Sequence, residues 1–308
     1  MQQDTFRNRQ APELPGARRR RPAGPRACLR SPRLLPLLLL TLPVLAQAAY
    51  NCTTNNGAIT ITGYTGPDAA VTIPSTIDGL PVTSIGNSAF SGANLTSVTL
   101  PDTVTNIGDY AFGGCCGLAS IAIGNGVTSI GRSALNACHS LTSLTIPNSV
   151  ANIGSEAFFN CWNLTTVTIG NRVASIGLGA FGYCPNLNSL YFQGNAPSVG
   201  PAVFQGDNAT VYYLPGTTGW GPILAGLPTV LWNPQVGSNN AGFGVRANQF
   251  GFTIAGTANI VVVVEASTEL ANSAWSPLVT NTLAGGSFYF SDPLWTNYPA
   301  RFYRLRWP

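Results

Sequence analysis

The chain has 308 residues, 45% hydrophobic and 8% charged, with one histidine and no lysine, whereas ordinary soluble domains carry about 25% charged residues. Nine of the fifteen arginines and two of the eleven acids precede residue 49, so that segment carries +7 and the remainder −3. The body therefore lacks a basic patch to neutralise phosphates, which excludes the electrostatic mode of nucleic-acid binding, and its Leu, Ile and Val content excludes disorder.

Residues 18–33 read RRRRPAGPRACLRSPR, followed by an apolar run from Leu34 to Ala46 and the small-residue exit Ala46-Gln47-Ala48. A basic region, an apolar core and an A-x-A site are the three parts of a secretory signal. The apolar run is shorter than the ~20 residues that a bilayer span needs. Residues 1–48 are thus expected to be removed on export, leaving a mature chain that starts near Ala49. Its location is then secreted or cell-surface, with membrane contact only during export. The rest divides into an N-terminal β cap (49–81), a repeat array (82–204), a C-terminal cap with linker (205–236) and a β module (237–308).

Within the array the pair Ile-Gly recurs at Ile85, Ile107, Ile130, Ile153 and Ile176, and Val199-Gly200 continues it. A large apolar residue follows each pair: Phe90, Phe112, Leu135, Phe158, Phe181 and Phe204. Then come Cys115, Cys138, Cys161 and Cys184, each 23 residues after the last, and leucines at 95, 118, 141, 164 and 187. Shared periodicity across four columns marks a solenoid. Each leucine opens an L-x-x-L-x-L strand: LTSVTLP, LASIAIG, LTSLTIP, LTTVTIG and LNSLYFQ. Strand alternation points the apolar residues inward, and Thr99, Ala122, Thr145, Thr168 and Tyr191 outward from a concave sheet. Phe192, next to Tyr191, is expected inward. Pro101, Gly124, Pro147 and Gly170 turn the chain out of the strands. The return segments, such as VTNIGDYAF, are too short for α-helices, so brief strand-like pieces and one helical turn around each Ala-Phe are expected.

These motifs, over about residues 57–204, resemble the BspA-like leucine-rich-repeat surface proteins of bacteria. The opening AITITGYTGPDAAVTIPSTIDGLPVTSIG is similar to the start of such arrays. The resemblance implies an extracellular, mainly β leucine-rich-repeat solenoid and a role in adhesion to proteins or cells. This array is short and its concave face is nearly uncharged, which departs from long adhesive members.

A solenoid needs a cover at each open end. AITITGY and AVTIPS fit a β cap at the start, and VYYL and TVLW fit two final strands, with Trp220 and Trp232 covering the last repeat. The alternative for these tryptophans is a sugar-stacking surface. The polar stretch NPQVGSNNAG (233–242) reads as a linker. Beyond it, FGFTIAG, IVVVVEAS, WSPLVT, SFYFSD and RFYRLRW predict a small all-β, sandwich-like module, similar to C-terminal modules of secreted bacterial proteins. By position it could anchor or sort the protein.

Chemistry-bearing residues are sparse. One cysteine per turn at a buried position reads as a stack of free thiols, since parallel side chains suit bridging poorly. Cys115–Cys116 cannot pair normally, and Cys52 has no obvious partner. His139 beside Cys138 falls in a variable turn position, where neighbours point apart, so a nucleophile–base pair is not expected. Asp102, Asp109 and Glu156 stand singly. No metal-ligand cluster, phosphate loop or nucleophile elbow is visible, and no catalytic residue, cofactor or metal is assigned. The sequence points to a non-enzymatic binding or adhesion protein. It contacts an extracellular protein or glycan through a Thr/Ser-rich sheet whose residues include Thr96, Ser97, Thr99, Thr142, Thr145, Thr165, Thr168 and Tyr191. Equally, those hydroxyls could serve only β-propensity and solubility. A structural envelope component held by the C-terminal module is the second reading, and a carbohydrate-active or peptidase enzyme the remote one.

Overall fold

Two short strands and two corners make up each turn of the array, and the 23-residue columns explain why. The computed structural model describes residues 50–237, 243–269 and 274–307, which belong to one compact unit. The expected signal segment and part of the expected linker lie outside the described residues. The Ile-Gly column forms one parallel sheet through Leu80–Ile85, Asn106–Ile107, Ser129–Ile130, Asn152–Ile153, Ser175–Ile176 and Ser198–Val199. At its N-terminal end this sheet is extended by Ala58–Tyr64 and by the antiparallel edge strand Tyr50–Asn55. The glycines after each isoleucine let successive turns touch backbone to backbone. A Cβ on Gly131 would lie 2.6 Å from the carbonyl carbon of Gly108, and one on Gly154 the same distance from that of Gly131.

The L-x-x-L-x-L strands form the opposite side in two blocks. Ala70–Thr72, Ser97–Thr99 and Ser120–Ala122 pair in parallel, as do Ser143–Ile146, Thr166–Ile169, Ser189–Phe192, Thr210–Tyr213 and Leu227–Leu231. No ladder joins Ser120–Ala122 to Ser143–Ile146. Between the two sides lies one core, built from the predicted columns: Ile130, Leu135, Cys138, Leu141, Leu144, Ile146 and Val150 of a single turn are all buried. Each such Leu, Ile or Phe contributes about 1.5–3 kcal/mol of burial. The Phe column stacks along the axis, with ring centroids 5.1 Å apart for Phe90–Phe112 and for Phe158–Phe181.

The corners after Ile-Gly differ from expectation. They contain tight turns in place of a helical turn, and among the described residues the one helix is the 3-10 turn Trp295–Asn297. Two residues per corner adopt positive φ. Tyr110 and Gly114, Ser133 and Ala137, Glu156 and Asn160, and Gly179 and Tyr183 form two left-handed columns. This geometry turns alternate N–H groups toward the next turn: Tyr110, Phe112 and Gly114 donate to the carbonyls of Arg132, Ala134 and Asn136. A helical turn would satisfy those groups internally and leave the turns unbonded to each other.

Side-chain oxygens repeat the same device. Asn87 Oδ1 accepts from the N–H of Asp109, Asp109 Oδ1 from that of Arg132, and Asn148 Oδ1 from that of Asn171. At the start of the array, Tyr64 stacks on Phe90 at 5.3 Å. At its end, Trp220 stacks on Tyr213 at 5.0 Å and lies edge-on to Phe192 at 5.1 Å, covering the last turn. Trp232 instead joins a second core.

That second core belongs to the C-terminal module. Gln249–Ala255 pairs with Gln235–Gly237 and Gly244–Arg246 along one edge and with Ser287–Asp292 along the other. Val261–Ser267 pairs with Ser276–Thr282 and with Phe302–Arg306. Phe252, Ile254, Val262, Val264 and Phe290 are buried together with Trp232 and Trp307. Glu265, buried, is held by Arg304 and Arg306 at 2.7 Å each, so its charge is paired and not stranded.

Candidate functional site

The outward column of the L-x-x-L-x-L side runs Thr72, Thr99, Ala122, then Thr145, Thr168, Tyr191, Tyr212 and Val230, in register within each block. Its exposure changes along the axis. Thr99, Ala122 and Thr145 are exposed, Thr168 is half-buried, and Tyr191 is 2% exposed. The cause is the C-terminal module. Trp307 packs on Tyr191 at 5.1 Å and Tyr191 stacks on Tyr212 at 5.0 Å. Trp232 Nε1 donates to the Val261 carbonyl at 2.9 Å and lies 5.5 Å from Trp307.

Tyr191 thus points away from the solenoid core, as alternation requires, and Phe192 points into it. The open aromatic contact point expected at Tyr191 is nonetheless closed, because a second core covers it. Burial pushes the Tyr191 phenol above its ordinary range.

Of the other expected face residues, Thr96 and Thr165 spend their hydroxyls on the backbone. Thr96 Oγ1 donates to the Ala69 carbonyl at 3.2 Å, and Thr165 Oγ1 to the Thr142 carbonyl at 2.9 Å. Ser97, Thr99, Thr142, Thr145 and Thr168 remain on the face. Thr99, Thr142 and Thr145 are the exposed members, Thr99 on Ser97–Thr99, Thr145 on Ser143–Ile146 and Thr142 just before that strand. Between the two strand blocks the face deepens into an open cavity of about 500 Å³, walled by Ala122, Asn125, Thr145, Asn148 and Gln193 among others. No charged side chain lines it.

The reactive residue types are engaged elsewhere. The thiols of Cys115, Cys138, Cys161 and Cys184 are free and buried, and donate to the carbonyls of Phe90, Phe112, Leu135 and Phe158 at 3.1–3.3 Å. Burial pushes Cys115 up to about 11 and the other three higher still, which suppresses thiolate chemistry. Asp207 stands 23 residues after Cys184, so the thiol column ends in a carboxylate. Its Oδ1 accepts the Cys184 N–H at 2.7 Å, while Oδ2 is buried without a partner. Burial raises this acid to about 7, against the lowering effect of the Cys184 N–H.

Cys138 and His139 diverge. The thiol faces the core, and the imidazole stacks on Trp162 at 4.3 Å. Asp102 accepts the Asn125 N–H at 2.7 Å, and Glu156 pairs with Arg132 and accepts from Ser133, each at 3.2 Å. In the module, Asp292 is held by Arg301 at 2.8 Å, by the Tyr303 hydroxyl at 2.9 Å and by the Leu294 N–H at 2.9 Å. These carboxylates tie turns and strands together. Among the described residues no three His, Cys, Asp or Glu side chains converge as a metal-ligand group.

Sequence reasoning missed the covered end of the face, although a signal existed. Tyr191, Tyr212 and Val230 are apolar at places where earlier turns carry Thr or Ala. Such a switch marks burial by something outside the array.

The model of the BspA type leucine rich repeat region matches residues 83–210 in six copies. Among solved structures, the T. pallidum leucine rich repeat protein is 34% identical. The match covers 53% of this chain and 88% of that one, with a TM-score of 0.44. A leucine-rich repeat protein from Bacteroides capillosus is 31% identical over 40% of this chain and 95% of that one, with a TM-score of 0.37. A leucine rich cell surface protein from Faecalibacterium prausnitzii is 28% identical over 54% of each chain, with a TM-score of 0.41. Comparison with curated proteins finds no match. Six copies of the family's repeat, arranged as a β solenoid with the inward Ile, Phe, Cys and Leu columns described above, place this chain in the BspA-type leucine-rich-repeat family.

Proposed function

We propose that this protein is an exported, surface-exposed, non-enzymatic binding protein that contacts an extracellular protein or glycan through the uncovered part of its Thr/Ser face. The observation that carries this reading is the contrast along one outward column. Thr99, Ala122 and Thr145 are open while Tyr191 is closed by the module. Extended faces of this kind are what solenoids use for binding. The family supports a binding or adhesion role. Export is supported by the three-part segment before Ala49.

The test combines location with binding. Intact cells that produce the protein are treated with protease, and the released peptides and mature N-terminus are identified by mass spectrometry. A start near Ala49 and release of peptides from 82–204 is the expected result. Retention of the arginine-rich segment in an intracellular fraction would overturn the export reading. Purified protein is then measured for attachment to immobilised extracellular proteins and glycans. Thr99→Arg with Thr145→Arg should abolish attachment, whereas Ala174→Arg, on the opposite side of the array, should not. Equal attachment by both variants would show that the face is not the contact surface.

A further inference from the structure

The interruption between Ser120–Ala122 and Ser143–Ile146 is local to one place in an otherwise regular solenoid. In the following turns Gly170 N–H donates to the Ile146 carbonyl and Gln193 N–H to the Ile169 carbonyl, each at 3.0 Å. The corresponding residue at the interruption is Pro147, which has no N–H to give to Ile123. Neither strand forms a ladder across the gap. The core thins beside it. Ile121 is 8% exposed where Val98 and Leu144 are 2% and 3%, and Ile123 is half-buried where Leu100 and Ile146 are buried.

Main-chain groups at two facing strand edges are therefore without ladder partners, at the bottom of the cavity on the face. Around them stand the hydroxyls of Ser120, Ser143 and Thr145 and the carboxamides of Asn125, Asn148 and Gln193. Carboxamides and hydroxyls both donate and accept. Ala122, Ile123 and Pro147 add aliphatic surface.

We infer that this breach in the sheet is a binding site for a neutral oligosaccharide. The inference rests on the surface-binding reading above and specifies its ligand. Three features select the class. The lining carries no charge, so an acidic polysaccharide or charged peptide would lose hydration without a compensating ion pair. The mixture of donors, acceptors and aliphatic patches matches the hydroxyl edges and C–H faces of a hexose. The volume of about 500 Å³ falls among small-molecule sites of about 300–1,000 Å³. An extended peptide added in the plane of the sheet is disfavoured by width. Cα atoms of the two strands approach within 8 Å, whereas an inserted strand needs about 9.5 Å, two inter-strand spacings.

The test is titration calorimetry of the purified exported protein with neutral tetrasaccharides of β-1,4-glucose, α-1,4-glucose and N-acetylglucosamine. Tetragalacturonate and a neutral Gly/Ser/Thr peptide serve as comparisons. At least one neutral tetrasaccharide should bind and tetragalacturonate should not. Ala122→Trp, which fills the breach from an exposed position, should weaken binding about tenfold or more. Thr72→Trp, two strands away on the same column, should leave it unchanged. Gln193→Ala, outside the strands, gives a second reading if Ala122→Trp alters the thermal transition. Saccharide binding indifferent to both breach variants would overturn the site. Peptide binding in place of saccharide, or no binding by any probe, would overturn the ligand class. If the attachment that Thr99→Arg with Thr145→Arg abolishes persists in either case, the surface-binding reading stands and only this inference falls. If that attachment is also absent, both fall.

Discussion

Ala137 and Tyr183 sit at φ 57° and 58°, in columns where other turns place Gly92, Gly114 and Gly206. A side chain there costs about 1–2 kcal/mol, partly offset by glycine's greater entropy loss on folding, about 0.5–1 kcal/mol. Ala137→Gly should therefore stabilise the protein by about 0.5–1 kcal/mol in denaturant unfolding, and Gly114→Ala should destabilise it by a similar amount. A stabilised Gly114→Ala would show that these corners are not held left-handed. The thiols give a second residue-scale prediction. In the folded protein, iodoacetamide should modify the exposed Cys52 and Cys116 and spare Cys115, Cys138, Cys161 and Cys184. Unfolding should expose all six to mass-spectrometric labelling. Rapid native labelling of Cys161 would contradict its burial.

At the scale of the element, the thiol column is a ladder that ends at Asp207. Each thiol donates to a carbonyl of the preceding turn, whereas Asp207 brings a carboxylate whose Oδ2 has no partner. Burial lifts this acid from 3.8 to about 7. The folded chain then holds the proton more tightly than the unfolded chain does. Its stabilising contribution is fully present below the unfolded value and is lost as pH rises from about 4 through 7. Asp207→Asn keeps an acceptor for the Cys184 N–H and removes the titration. The variant should melt above the parent at pH 8, with the difference shrinking toward pH 4. A difference constant with pH would show that Asp207 is not the titrating group. The same periodicity made the inward columns legible, because a 23-residue repeat returns each side chain to one environment. The left-handed corners were less legible. Ser, Tyr, Glu, Ala and Asn occupy them as well as Gly, so composition concealed a conformation imposed by bonding between turns.

On the scale of the whole molecule, the module and the array share a core in which Trp307 meets Tyr191 and Trp232. Truncating a buried Trp costs about 3–5 kcal/mol. Trp307→Ala should therefore free the module from the array, seen as two thermal transitions in place of one and as increased binding of an apolar dye. Tyr191→Thr places the array's own outward residue at that column. It should loosen the module while leaving the melting of the array unchanged. A single unaltered transition in both variants would show that this contact does not couple the two parts.

The sequence by itself determined the solenoid, its period and its inward columns, the cysteine column among them, since these follow from local alternation repeated along the chain; that the thiols are free is seen in the structure. It also placed the Thr/Ser row on the outward side of one sheet. Only the tertiary structure decided which part of that row is open. Residues such as Tyr191 and Trp307 are 116 positions apart, and no periodic pattern links them. Their meeting depends on how a separate β module packs, and its apolar surface found a match in the aromatic end of the column. The breach at Pro147 was equally hidden, because Pro101 holds the same place two turns earlier and the strands around it remain paired. A missing N–H opens the sheet only where the neighbouring turns supply no other ladder bond.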